Sequence, residues 1–413
     1  MPGKFNFAQN FNSLVVSHKN IQAITQITRD VMFSGLQADK AFEAFFKSNK
    51  SVAPSDIAFI VEQVYYLIRN WRLLIEIQSR GNLGEPSGII TLLAIGWIVE
   101  QKQLPDFIKI DRLRRRAISE NFKSVNDNRA IMYSVPDWLD NIGHKELTDH
   151  WLSILQALNQ EAALVIRANT IKCSRDKLLK ELLALGLEIR KSNRATDALI
   201  LKNKLNVFKL PQFKQGWFEM QDISSQLIGH FVNPQPGMRV IDACAGNGGK
   251  TLHLASLMQN KGRIIALDIF PTKLETLKCR TKRAGVSIVE TRAIDSTKVI
   301  KRLHNTADLV LLDVPCSGLG VLKRNPEIKW KLQPTDLDNL RKTQEDVLSR
   351  YSLMVKPGGK LVYSTCSILP SENTCQIQKF IDKNGDKFEF AEERFVSPTE
   401  GFDGFYMAAM IRK

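Results

Sequence analysis

The chain holds six cysteines but no C-x-x-C pair, and their spacing is not that of a small disulfide framework. Reduced thiols in a cytoplasm are expected, with no structural zinc and no other metal. No basic-then-apolar leader opens the sequence, which points the same way. The most apolar run, residues 88–99, meets Glu100 and is too short to span a bilayer. It reads as a buried helix, and no membrane partner is expected. Strand signals are missing from residue 5 to about residue 110.

What is present begins with charge. Residues 1–150 carry 18 Lys+Arg against 16 Asp+Glu, whereas the rest of the chain carries 40 against 27. A polyanion partner would explain that concentration, although a generally basic surface would give the same total. At 413 residues the chain is long enough for two or three domains.

The first 110 residues space their apolar positions at three and four, as helices do. Ser55, with Pro54 just before it, is the expected N-cap of one helix. Arg112 and the run 114–116 make a basic cluster that could touch phosphate or simply face water. Two more helices are expected over 136–161. A strand then covers 163–171, carrying Arg167 and Asn169. Ser174 caps a helix running to about Leu185, Gly186 closes it, and a second strand covers 198–202. In the tract 201–217, Lys202, Lys204, Lys209 and Lys214 interleave with Phe208, Phe213 and Trp217. Lysines supply charge for phosphate and rings supply stacking for bases, but lysines also protect edge strands.

From Pro236 strands and helices alternate, as in a parallel α/β sheet. Strands are expected over 238–243, 263–268, 286–295, 308–313 and 360–366, with a last, antiparallel one over 404–411. Val310, Leu311 and Leu312 end a buried strand that delivers Asp313; Pro315 stops it, and Cys316 and Gly318 open a loop. The run from Lys360 ends likewise at Cys366. Ligands bind where parallel strands end, so two thiols at two such ends suggest chemistry, although a free cysteine is as often a small buried hydrophobe.

The loop D-A-C-A-G-N-G-G-K-T at 242–251 can be set against three templates. A dinucleotide fingerprint fits Gly246 and Gly248 but finds Thr251 in place of the third glycine. A phosphate-binding P-loop fits Gly249, Lys250 and Thr251, with Asp313 as its second-strand acid, but finds Cys244 where the first glycine belongs. The S-adenosylmethionine loop of class I methyltransferases needs an acid at each of two successive strand ends and small residues between. Asp242, Asp268 and the span from Ala243 to Gly249 supply them. Glycines admit backbone N–H groups close to a ligand, and a carboxylate at Asp268 can accept both ribose hydroxyls. Asp295, at the third strand end, would lie near adenine. Carboxylates that merely cap helices are the plainer alternative.

These residues, together with L-L-D-V-P-C-S-G-L-G, R-N-P-E-I-K-W, L-V-Y-S-T-C-S-I-L-P-S-E-N and G-W-F-E-M-Q-D-I-S-S-Q, resemble the RsmB/Sun/NOP family of RNA 5-methylcytosine methyltransferases. The resemblance covers almost the whole chain. It implies an α/β, Rossmann-like class I methyltransferase domain over 236–413, preceded by a helical NusB-like domain over 1–150 and a small α+β domain over 151–235. It implies Cys366 as nucleophile and Cys316 as the cysteine that aids product release, with Asp313 holding the base. It places cofactor contacts at Cys244, Ala245, Gly246, Asn247, Gly248, Gly249, Lys250, Asp268, Asp295 and Asp313. The partner implied is RNA, ribosomal ahead of transfer RNA, with no obligate protein partner. Contacts to it are expected from Arg167, Asn169, Lys209, Lys214, Lys323 and Arg324. Many members read C-A-A-P-G-G-K where this chain reads C-A-G-N-G-G-K, so Gly246 and Asn247 mark a departure that touches target choice more than cofactor binding. Two other classes stay open on the residues alone: a nucleotide hydrolase using Lys250 and Thr251, and a non-catalytic RNA-binding assembly factor.

Overall fold

The computed structural model describes residues 16–80, 88–125, 127–202 and 206–413. The helical reading of residues 5–15 and the expectation for Lys204 lie outside them. The chain divides into two compact units, Met1–Asp137 and Trp138–Lys413.

Among its described residues the first unit is helical throughout. The apolar run forms the helix Ile89–Val99, buried along most of its length, and Trp97 donates from Nε1 to Gln63 Oε1 at 2.8 Å. One cap differs from expectation. The helix Pro54–Arg69 begins on the proline, with Ala53 as N-cap, so Ser55 lies inside its first turn. Proline has no N–H to leave unsatisfied and its φ is already helical, which makes it the better first residue. The basic cluster lies on the helix Arg112–Ser124, exposed and capped by Asp111, which suits the solvated reading.

The second unit holds two sheets. The smaller has strands β1 (Leu164–Ala168), β2 (Ile189–Lys191), β3 (Ala198–Leu201) and β4 (Phe218–Met220), in the order β2-β3-β1-β4 with every pair antiparallel. Ser174 caps the helix Arg175–Ala184 by accepting from Lys177 N, and Gly186 takes the positive φ that follows its end. β2 and β4 have three residues each, too few for a period to show.

The larger sheet has β5 (Arg239–Asp242), β6 (Arg263–Asp268), β7 (Val289–Ala293), β8 (Ala307–Asp313), β9 (Val355–Thr365), β10 (Phe388–Val396) and β11 (Phe405–Arg412), in the order β10-β11-β9-β8-β5-β6-β7. The five central and right-hand strands run parallel; β11 and β10 complete the sheet antiparallel. Valine, isoleucine and leucine fill β5, β6 and β8 because helices cover both faces. β10 had no sequence signal: its seven central residues are exposed and include Glu389, Glu392, Glu393 and Arg394. That is the charged character of a strand at a sheet edge. The order reverses between β5 and β8, and a crevice opens there at the strand C-termini.

Candidate active site

Four strand ends meet at that crevice. After β5 the chain turns through Gly246 (φ +54°) and Gly248 (φ +83°) into the helix Gly249–Leu257. A Cβ on Gly248 would lie 2.0 Å from Leu277 Cδ1, so only glycine fits, whereas Gly246 and Gly249 border open space. At the end of β6, Asp268 accepts from Gly246 N at Oδ2 and from Phe270 N at Oδ1, both at 2.8 Å. Each oxygen keeps a lone pair, so the loop amides aim this carboxylate without exhausting it.

Asp242 is buried at the end of β5. Its Oδ2 accepts from Thr251 Oγ1 at 2.7 Å, and its Oδ1 has no partner. Burial raises its pKa to about 7 against the pull of Thr251, with Asp313 and Asp268 adding to the rise. Asp313, at the end of β8, accepts from Lys250 Nζ at 2.7 Å and from Ser364 Oγ at 3.0 Å. Burial works against the Lys250 charge, but Asp313 outweighs it, helped by Cys366 and Asp242, and the pKa is raised. The ammonium also lies over the Phe405 ring, 5.2 Å from its centroid.

Cys316, three residues beyond β8, and Cys366, one beyond β9, approach with Sγ atoms 3.3 Å apart, and Cys366 N donates to Cys316 Sγ at 3.3 Å. Parallel pairing in the register Asp313–Ser364 brings together two loops separated by fifty residues. The bond to Cys366 and burial push the Cys316 thiol up, so it keeps its proton. Cys244 is also held as a thiol, by burial and the surrounding carboxylates. No disulfide forms; all six cysteines are free.

A family model described as 16S rRNA methyltransferase RsmB/F matches residues 230–411, and the RsmF/B-like ferredoxin-like domain matches 135–208. The Ribosomal RNA small subunit methyltransferase B of Vibrio vulnificus (strain YJ016) is 31% identical over 341 residues, which are 78% of each chain. The chain belongs to the RsmB/F family. A Synechocystis protein named "Probable ribosomal RNA small subunit methyltransferase B" is 35% identical, over 66% of this chain and 63% of its own length. Among solved structures, a methyltransferase homolog from Pyrococcus horikoshii matches with a TM-score of 0.62 at 26% identity, covering 70% of this chain and 99% of its own. PH0851 matches with 0.79 at 24%, over 96% and 99%, which speaks for the fold.

The cofactor of RsmB/F methyltransferases is S-adenosyl-L-methionine, and the residues present fit it. The open space beside Gly246 and Gly249 admits a ligand against the backbone, and the unpartnered Asp242 Oδ1 is a buried acceptor suited to an ammonium group. Asp268, Lys250, Asp313 and the loop 244–249 gather at this place. Asp295 does not. It lies two residues past β7, exposed, and its carboxylate accepts from Ser296 Oγ. The P-loop alternative loses its groups, because Thr251 is buried on Asp242 and Lys250 is bound to Asp313.

The polar residues expected on RNA divide sharply. Lys209 and Lys214 are exposed, and Phe208 is exposed edge-on to Phe213. Arg167 is 1% exposed and donates to Gln221 Oε1 and to the Gly249 carbonyl, joining β1 to the cofactor loop. Asn169, 2% exposed, donates to the carbonyls of Gly216 and Ala284 at 2.8 Å. Lys323 is buried, with Nζ on the Pro398 carbonyl at 2.8 Å. Arg324 bridges the buried carboxylates of Asp222 and Asp403. These four tie the small sheet and the loops to the main sheet. Their charge or polarity suggested a phosphate or base; the fold spends it internally.

The raised Asp242 pKa has a measurable consequence. Its folded value, about 7, lies above the ordinary 3.8, so this group favours the fold fully below about pH 4 and less as pH rises through 7. At roughly 1.4 kcal/mol per pH unit, the loss reaches a few kcal/mol. Asp242→Asn is expected to remove it. Urea unfolding without cofactor should show the variant gaining on the parent between pH 5.5 and 8; a constant difference would refute the assignment.

Proposed function

We propose that the chain methylates C5 of a cytosine in RNA, small-subunit ribosomal RNA above all, through a covalent bond between Cys366 and C6 of the base. The observation that carries this reading is the pair of thiols 3.3 Å apart beside the cofactor loop. A single buried cysteine packs; two at adjacent strand ends, one near a buried ammonium, suit attack and release. The names of the relatives favour ribosomal RNA as substrate.

Cytosine C5 is a weak nucleophile. Addition of the Cys366 sulfur to C6 breaks the ring's aromaticity and moves electron density to C5. Lys250 lies close enough to Cys366 for the two groups to interact electrostatically. Asp313, anchored by Lys250 and Ser364, accepts from the exocyclic amine and keeps the ring in place. S-adenosylmethionine, when bound, supplies an electrophilic methyl group. Once C5 has bonded that methyl group, water takes the C5 proton, the C–H electrons re-form the C5–C6 double bond and the C6–S bond breaks to release the Cys366 thiolate, with Cys316, in contact with that sulfur, assisting the departure. The target base must leave its stack to reach this crevice. The exposed Lys209 and Lys214 support RNA contacts from the small sheet, and residues 1–150, 151–235 and 236–413 are proposed as NusB-like, RNA-binding and catalytic domains.

Purified protein, small-subunit rRNA and radiolabelled cofactor test the reading. Label on RNA, with one cytosine newly resistant to bisulfite, is expected; label on another base, or none, would overturn it. Asp268→Ala should weaken cofactor binding by roughly 3 kcal/mol, about a hundredfold, through lost charge-assisted hydrogen bonds. Two loop amides lose their acceptor as well, so a fall in stability of about 1–3 kcal/mol accompanies it. Calorimetric titration giving the parent's affinity would contradict this role.

A further inference from the structure

Behind the two thiols lies a carboxylate the proposed chemistry does not use. Glu372 is 0% exposed, six residues past Cys366. Its Oε1 accepts from Ser317 N and Gln344 Nε2, each at 2.9 Å, and its Oε2 accepts from the hydroxyls of both Ser317 and Ser367. Ser317 follows Cys316 in the chain and Ser367 follows Cys366. Gln344 also reaches the Cys316 loop directly, donating to the Pro315 carbonyl at 3.0 Å. One side chain therefore grips the residue after each thiol.

We propose that Glu372 is a positioning residue that clamps the Cys316 and Cys366 loops together and so sets the separation of the two sulfurs. The role rests on the reading of those thiols as the reacting pair. A buried carboxylate is an expensive tie: among the described residues no cation pairs with it, and every donor named here is neutral. An amide could join the loops without desolvating a charge. The charge has a use at this place, since Glu372 adds to the effects of Cys366 and burial that keep the proton on Cys316. A thiol so held can hydrogen-bond the neighbouring sulfur rather than compete with it as a second thiolate.

The test reads sulfur separation without RNA or cofactor. Diamide joins two close thiols: its azo group takes up both S–H hydrogens to become a hydrazine as the S–S bond forms. The rate of Cys316–Cys366 disulfide formation, followed by mass spectrometry of the full-length protein, should fall about tenfold or more in Glu372→Ala, because displacement by an ångström has effects of that size. Ser367→Ala, which removes the Glu372 tie on the Cys366 side together with the direct Ser317–Ser367 hydroxyl contact at 3.2 Å, should be intermediate, and it decides the matter if Glu372→Ala does not fold. Ser371→Ala, next to the clamp but bonded to Glu146, should keep the parent rate. In methyl-transfer assays the same order should appear in kcat, with the cofactor Kd unchanged. Parent disulfide rates in folded Glu372→Ala or Ser367→Ala would overturn the clamp. Slowed disulfide formation in a protein whose parent form methylates no cytosine would leave the clamp standing and remove the proposed function instead.

Discussion

Cys316→Ala is expected to accumulate an enzyme–RNA adduct that survives denaturing gels and carries label from the cofactor, whereas Cys366→Ala forms none and transfers no methyl group. The asymmetry follows from the roles proposed for the two sulfurs. Without Cys366 nothing attacks C6. Without Cys316 the attack and the transfer proceed, but the thiolate leaves slowly and the base stays bound to the protein. The geometry sharpens the contrast, because the sulfurs touch at 3.3 Å and Cys316 keeps its proton. If both were packing residues, each alanine would lower stability by about 1–3 kcal/mol and trap nothing. Incubation with cellular RNA and a gel shift separates the outcomes. A band with Cys366→Ala and none with Cys316→Ala would exchange the two roles.

Arg324→Leu should destabilise the second unit severely while leaving its RNA affinity at fixed salt unchanged in the folded fraction. The guanidinium lies between Asp222 and Asp403, whose side chains are 5% and 3% exposed, and it also donates to the Ala163 carbonyl at 3.1 Å. Burial lifts Asp403 to about 6 even with Arg324 holding it down. Removing the cation strands two buried carboxylates, a loss of about 3–5 kcal/mol, or roughly 10 °C in Tm for a unit of this size. Thermal unfolding at pH 8, well above the raised Asp403 value, gives the largest effect. A Tm within about 2 °C of the parent's, with weakened RNA binding, would return Arg324 to the RNA surface.

Much of the catalytic architecture was legible before any coordinates. The apolar runs of β5, β6, β8 and β9 announced themselves because parallel strands buried on both faces need continuous branched residues, and the antiparallel β11 did so because it too is buried along most of its length. The positive φ at Gly246 and Gly248, the acids at the ends of β5 and β6 and the thiols past β8 and β9 all stood at chain positions where local chemistry requires them. β2, β4 and β10 escaped notice because two are three residues long and the third is an exposed, charged edge.

The sequence by itself determined six of the seven strands of the larger sheet and their succession along the chain, the residue types at their ends and the family to which the chain belongs. Only the tertiary structure decided which polar groups face the crevice and which are consumed inside. Lys209 and Lys323 are the same residue type in basic tracts, yet one is exposed and the other bonds a buried carbonyl. Glu372 stands inside the motif that ends S-E-N and nothing along the chain gave it a role, yet it joins both thiol loops. The reason is physical. Backbone conformation and apolar burial follow from neighbours along the chain, which a sequence displays. The work of a charged or hydrogen-bonding group depends on its distance to partners and on exclusion of water, and those are set by residues fifty or more positions away.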